Sequence, residues 1–170
     1  MQSLPWWLCL LSLFLPVGAA GHELPVPGGP AGEGIGLEEK IGQVLPPGLL
    51  FRDERGAEVS LGSLLGKPAI LTLVYYTCEH VCPLMLSGLS QALPRLMMTP
   101  GKDYRLITVS FDATDTPQIA RDVKKNYVKA AGTPLAEDAW QFLVGDQQNI
   151  DKLTKAVGFT YRKETHGFNH

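Results

Sequence analysis

Hydrophobic positions change their spacing in a repeated order along this chain. Residues 69–76 form an apolar run without polar alternation, which is typical of a strand buried on both faces of a sheet. Residues 83–97 then carry apolar side chains at helical spacing, and Pro94 is expected to kink or end that helix. The change from strand to helix recurs downstream, with strands at 104–111, 139–144 and 159–162 and helices at 117–131 and 147–157.

A β-hairpin is predicted ahead of the first long strand. Two short strand-like runs, 49–52 and 58–61, flank the turn residues Asp53-Glu54-Arg55-Gly56. The order is then a hairpin followed by alternating strands and helices, which implies an α/β fold with a central parallel or mixed sheet flanked by helices. A sheet of this kind is expected to continue, so a C-terminal strand and helix after His170 are predicted to be missing from this chain.

The N-terminal residues differ in composition from the rest. Residues 6–15 form a compact apolar stretch of signal-peptide length, followed by small residues that suit cleavage after Ala19 or Ala20. Residues 21–36 are rich in glycine and proline and indicate a tether. We therefore predict a leader at 1–20, a linker at 21–36 and one domain at 37–170. The domain would be exported to a periplasm or to the outer face of an inner membrane, with an uncleaved N-terminal anchor as the alternative.

The net charge and the number of cysteines limit the kinds of partner and reaction that the chain can have. The formal net charge is -2 over 170 residues, with both signs mixed along the chain, so nothing indicates nucleic acid as a partner. Loss of the leader would remove Cys9 and leave Cys78 and Cys82. An oxidising compartment favours a disulfide between such a pair, so a pair that carries metal needs a thiol reductant as a partner.

Cys78 and Cys82 lie where the first long strand gives way to a helix. Their i, i+4 spacing lets the two sulfurs approach closely enough to form a disulfide or to bind a soft metal ion. A thiol near a helix N-terminus has a lowered pKa, and thiolate is both the nucleophile and the metal ligand. Ligands of open α/β sheets gather at the carboxyl ends of the strands. Two thiolates with one imidazole would suit copper, as Cu(I) or Cu(II).

These features together resemble the Sco/SenC family of thioredoxin-like copper proteins, over about residues 36–170. The spacing of the cysteines is the specific part, since redox thioredoxins carry Cys-x-x-Cys. The matching elements, in chain order, are Cys78-x-x-x-Cys82-Pro83 after a strand, Val109-Ser110-Phe111-Asp112 with Asp115-Thr116-Pro117, and Val157-Gly158-Phe159 leading to a terminal histidine.

The resemblance implies a thioredoxin-like fold and a metallochaperone that delivers copper to cytochrome c oxidase during its assembly. It implies Cys78, Cys82 and His170 as the copper ligands and the copper-site subunit of the oxidase as the partner. Asp112 matches an acidic residue near the family's site, where it would act on the ligands by hydrogen bonding or by its charge.

Three alternatives to the copper site remain open from the residues alone. The two cysteines could form a structural disulfide, or they could be the catalytic pair of a thiol-disulfide oxidoreductase that reduces the cysteines of a copper-site apoprotein. A redox or copper sensor is the third. His80 and His166 offer further imidazoles, although both are expected to be exposed loop residues, and Asp112 could be an ordinary turn residue.

Overall fold

The computed structural model describes residues 34–170. The predicted leader, Cys9 and the predicted linker up to residue 33 lie outside these residues. None of the helices between residues 34 and 170 has both the length and the apolar character needed to cross a membrane.

The described elements follow the predicted order closely. The strands are β1 (Gly36–Leu37), β2 (Leu50–Arg52), β3 (Glu58–Ser60), β4 (Ala69–Val74), β5 (Arg105–Ser110), β6 (Trp140–Leu143), β7 (Phe159–Thr160), β8 (Arg162–Glu164) and β9 (Gly167–Asn169). The helices are α1 (Leu61–Leu64), α2 (Val81–Ala92), α3 (Pro117–Ala130) and α4 (Gln147–Val157), with a 3-10 turn at Leu93–Arg95.

The central sheet has three parallel strands in the order β4-β5-β6. Strand β5 lies in the middle and is almost entirely buried, whereas β4 is mostly half-buried. The predicted hairpin β2–β3 adds an antiparallel connection, because Arg52 and Val144 exchange backbone hydrogen bonds of 2.8 and 2.9 Å. The mixed α/β arrangement is that of the thioredoxin-like fold, as the resemblance implied.

The sheet has a core on each face because successive strand residues point to opposite sides. Trp140 and Phe142 of β6 pack with Leu86 of α2 on one face. Leu143, the next residue of β6, packs on the other face with Ile150 of α4. All five of these side chains are at most 2% exposed, so the sheet fixes the positions of both α2 and α4.

Local signals in the sequence account for the helix boundaries. Thr116 caps α3 by accepting a hydrogen bond from the N–H of Ile119 at 3.3 Å, and Pro117 occupies the first helical position. The last helix, α4, ends before Gly158, whose left-handed backbone (φ 75°) suits glycine. Pro94 ends α2 as predicted, since the regular helix stops at Ala92.

The predicted strand at 159–162 is wrong as a single element. Residues 159–160 form β7, which pairs antiparallel with β1 and not with the central sheet. The chain then enters the hairpin β8–β9, whose turn brings Glu164 opposite Gly167. The division arises because Gly36–Leu37, far away in the sequence, supplies the pairing edge for β7, and local patterns do not reveal such a partner.

Candidate functional site

Both cysteines lie where the first strand of the central sheet gives way to a helix. After β4 ends, a turn is closed by a hydrogen bond of 3.1 Å from the Cys78 N–H to the Tyr75 carbonyl oxygen. Cys82 lies in the first turn of α2. The two side chains are buried free thiols that hydrogen-bond to each other. The structure thus brings the two predicted residues together at the carboxyl end of the parallel strands.

Cys78 is the more acidic of the two thiols. Burial raises the pKa of Cys78, but the backbone N–H groups of His80 and Cys82 donate hydrogen bonds to its sulfur and lower it. The Tyr75 hydroxyl and the Cys82 thiol lower the pKa further in the same way. The net result is a pKa below the ordinary value of 9.0, so Cys78 is the thiol that deprotonates first.

Cys82 has the opposite character. Its burial raises the pKa, and a hydrogen bond to Cys78 and the negative charge of that sulfur raise it further, whereas the backbone of Tyr75 lowers it. The pKa of Cys82 is raised to about 12. Once the pair has lost its first proton, the remaining proton is therefore held on Cys82 and donated toward the Cys78 sulfur.

Tyr75 belongs to the site although the sequence indicated only a packing role for it. Its hydroxyl hydrogen-bonds the Cys78 sulfur, and this bond, ahead of burial and the charges of both thiols, raises the pKa of Tyr75 to about 12. The ring is half-buried and lies 5.5 Å from that of Phe111. The signal in the sequence was a polar tip at the end of an apolar run, directly before the turn that carries Cys78.

His170 lies at the same end of the sheet as the thiols. Its ring is 6.0 Å from the ring of Tyr75 and 5.5 Å from that of Phe111, measured between centroids. The imidazole is exposed, and its Nδ1 is 3.4 Å from the Phe168 carbonyl oxygen. The Tyr75 side chain therefore contacts both His170 and Cys78.

The structure gives the other three predicted candidates, Asp112, His80 and His166, no side-chain hydrogen bond to the cysteine sulfurs among the described residues. Asp112 is buried after β5, where its carboxylate accepts hydrogen bonds from the backbone N–H and the hydroxyl of Thr114 at 3.0 and 2.8 Å. This is the geometry of a turn residue. His80 immediately precedes α2 and His166 lies in the turn between β8 and β9, and both are exposed.

Within residues 34–170 no group of three or more His, Cys, Asp or Glu side chains is arranged to hold a metal ion, so the two cysteines form a dithiol site there. The chemistry of the donors still fits a soft ion, because two sulfurs lie together and an exposed imidazole is close by. The same pair can also exchange electrons with another disulfide. One thiol of lowered pKa and one of raised pKa at the end of a parallel strand, in a sheet with helical crossovers, define a thioredoxin-like dithiol protein.

The sequence model of the SCO1/SenC family matches residues 49–170. The chain belongs to the SCO1/SenC family. A curated relative, the SCO1 protein homolog of Bacillus subtilis, is 31% identical over 100 residues, which cover 58% of this chain and 48% of the relative. The aligned part of the chain thus spans about half the length of that relative.

Solved structures agree with this assignment. A candidate electron transfer protein of Aquifex aeolicus is 31% identical, with a TM-score of 0.68 over 76% of this chain and 73% of that one. BsSco, described as a member of the Sco family of cytochrome c oxidase assembly proteins with a disulfide switch, is 27% identical, with a TM-score of 0.55 over 71% and 67% of the two chains. Copper-bound ScoI of Bradyrhizobium japonicum is 25% identical, with a TM-score of 0.56 over 75% and 78%.

Proposed function

We propose that this chain is a copper chaperone, which binds one copper ion through Cys78, Cys82 and His170 and passes it to the copper-site subunit of cytochrome c oxidase during assembly. The observation that carries the proposal is the position of His170, whose ring contacts the same Tyr75 side chain that hydrogen-bonds Cys78. Membership of the SCO1/SenC family and the copper bound by the Bradyrhizobium relative support it.

The donor set suits copper better than harder divalent ions. Two thiolates and one imidazole are soft or borderline ligands, which favour Cu(I) and tolerate Cu(II). Cys78 is already disposed to be a thiolate, whereas Cys82 must release its proton when copper binds. The imidazole must also move toward the sulfurs. Its exposure and its single long contact, 3.4 Å to the Phe168 carbonyl oxygen, oppose such a movement only weakly.

Delivery would proceed by ligand exchange at the sheet edge. An acceptor thiolate would enter while the exposed His170 leaves, so copper is never without protein ligands. Export from the cytoplasm follows from the predicted leader, and a thiol reductant is needed there to keep Cys78 and Cys82 from forming a disulfide. A domain in a periplasm or at the outer face of an inner membrane would meet the oxidase subunit directly.

Copper(I) titration of the reduced protein against a competing chelator tests the ligand set. His170→Ala should weaken binding by at least the roughly 10- to 100-fold that loss of an outer hydrogen-bond partner costs at metal sites. His166→Ala is the matched control, because it removes an exposed imidazole from the same hairpin. Equal affinities of wild type and His170→Ala would contradict the proposed ligand set.

A thiol-disulfide oxidoreductase is the second candidate, favoured by the split between the two cysteine pKa values. The Cys78 thiolate would attack a target disulfide and release one target thiolate. Cys82 would then lose its proton and attack the Cys78 sulfur, which releases the second target thiolate and leaves a Cys78–Cys82 disulfide. Two electrons pass to the target in this sequence. This activity does not need His170, so reduction of a model disulfide by His170→Ala separates the two functions.

A further inference from the structure

We propose that Tyr75 is a positioning residue of the thiol site, whose hydroxyl connects the Cys78 sulfur to the β8–β9 hairpin and so keeps His170 beside the two thiols. The consequence for copper rests on the proposed function. The contact itself can be tested without copper.

On the thiol side, Tyr75 holds the turn that delivers Cys78 in two ways. Its carbonyl oxygen accepts the hydrogen bond from the Cys78 N–H at 3.1 Å, and its hydroxyl donates to the Cys78 sulfur. The backbone bond fixes the turn, and the side-chain bond fixes the sulfur relative to the ring. A movement of the Tyr75 ring would therefore move the Cys78 thiol with it.

On the hairpin side, the same side chain contacts the last strand of the described chain. The Tyr75 hydroxyl lies beside the backbone of Phe168, which lowers its pKa. The Tyr75 ring lies 5.0 Å from the Phe168 ring and meets the His170 ring edge-on at 6.0 Å. One phenol thus contacts both the ligand-bearing end of the hairpin and the more acidic thiol.

Gly167 shows how close this approach is. A Cβ atom built at residue 167 would lie 2.9 Å from the Tyr75 hydroxyl oxygen and 3.5 Å from the ring carbon that carries it. The backbone at Gly167 also has a φ of 102°, which L side chains rarely adopt. Glycine therefore permits both the turn of the hairpin and the approach of the phenol.

Two other tyrosines show that this arrangement is not a general feature of the aromatic cluster. The Tyr76 hydroxyl donates to the carbonyl oxygens of Thr108 and Leu143 within the central sheet. The Tyr161 ring packs 5.6 Å from that of Phe168, but its hydroxyl accepts a hydrogen bond from Gln147 at 2.9 Å. Tyr161 is thus a matched control, with a phenol in the same cluster whose hydroxyl does not contact Cys78.

Amide hydrogen exchange of the reduced, metal-free protein tests the contact first. Tyr75→Phe keeps the ring and removes the hydroxyl, so exchange at the Gly167–Asn169 amides should become about two- to tenfold faster, the effect of one lost hydrogen bond. Tyr161→Phe should leave exchange there at the wild-type rate. Gly167→Ala should accelerate exchange more in the wild-type background than in Tyr75→Phe, where the clash with the hydroxyl oxygen no longer exists.

Copper spectroscopy then tests positioning against mere structural support. With Cu(II) added to the reduced protein, Tyr75→Phe should shift the sulfur-to-copper charge-transfer band and weaken Cu(I) binding about two- to tenfold, whereas Tyr161→Phe should do neither. Faster exchange with an unchanged band and affinity would overturn the positioning role. Exchange in Tyr75→Phe equal to that of wild type would overturn the contact itself. Failure of the wild type to bind copper would refute the proposed function, and the exchange rates would still decide the contact.

Discussion

Replacing Cys78 with serine should make the neighbouring Cys82 thiol more reactive. The pKa of Cys82 is raised to about 12, first by burial and then by its hydrogen bond to Cys78 and the charge of that sulfur. At pH 8 only about one Cys82 thiol in ten thousand is then a thiolate. Cys78→Ser removes the charge and keeps the burial, so the pKa of Cys82 should fall toward the ordinary 9.0 without reaching it.

The change in reactivity follows from the thiolate fraction. Each unit by which the pKa falls raises that fraction about tenfold at pH 8, and a return to 9.0 would raise it about a thousandfold. A thiolate of lower pKa is also less nucleophilic, by about 0.4 to 0.5 log unit for each pKa unit, so the initial rate of Cys82 alkylation should rise about three- to fourfold per unit. The full fall to 9.0 would raise it about 30- to 60-fold, and the rate in Cys78→Ser should stay below that limit. Access to the buried thiol is nearly the same in both proteins, so it cancels in the ratio.

Alkylation by a small reagent, followed by mass-spectrometric peptide mapping, measures the two rates separately. A Cys9→Ser background removes the leader cysteine from the measurement. In the protein with both thiols, Cys78 should react first, with a pH midpoint below 9.0. An unchanged Cys82 rate after Cys78→Ser, or faster reaction of Cys82 than of Cys78, would refute the assignment of charge to Cys78.

Two further predictions concern buried carboxylates. Burial raises the pKa of Asp115 above 3.8, so the folded protein holds that proton to a higher pH than the unfolded chain and loses stability as pH rises through this range. Asp115→Asn should flatten this decline in urea unfolding between pH 4 and pH 7, and an unchanged slope would count against it. Lys124→Met should cost about 3 kcal/mol of unfolding free energy, because Glu54, 4% exposed, would lose its 2.7 Å ion pair. Lys125→Met, at an exposed position, should cost under about 0.5 kcal/mol, and equal losses would contradict the role of the buried pair.

The meeting of the two thiols could be predicted because one short motif carries both. A buried strand fixes where the chain leaves the sheet, and the helix that follows places Cys82 one turn beyond Cys78. The cap at Thr116 and the break at Pro94 are local in the same sense, since a few neighbouring residues determine each of them.

The surroundings of the thiols could not be predicted in the same way. The Tyr75 contacts with Phe168 and His170 join residues that are far apart in the sequence, and no local spacing encodes which way the ring turns. The same limit applies to β7, whose partner β1 comes from the start of the described chain. Such contacts depend on how helices and strands pack against each other, and this packing can override the local sequence pattern.

The position of His170 rests partly on the family resemblance and partly on the packing in the structure. Its placement near the thiols was an implication of the family resemblance, because the residue is far from Cys78 in the sequence. The structure adds that the imidazole packs against the rings of Tyr75 and Phe111. Coordination of copper by that imidazole is the part that an experiment with the metal must decide.

X-ray absorption spectroscopy of the reduced protein loaded with one equivalent of copper tests the central claim most directly. The account predicts a first shell of two sulfur atoms and one nitrogen atom, with the outer-shell scattering of an imidazole ring that disappears in His170→Ala. A shell without imidazole scattering in the wild type, or one that His170→Ala leaves unchanged, would contradict a copper site made of Cys78, Cys82 and His170.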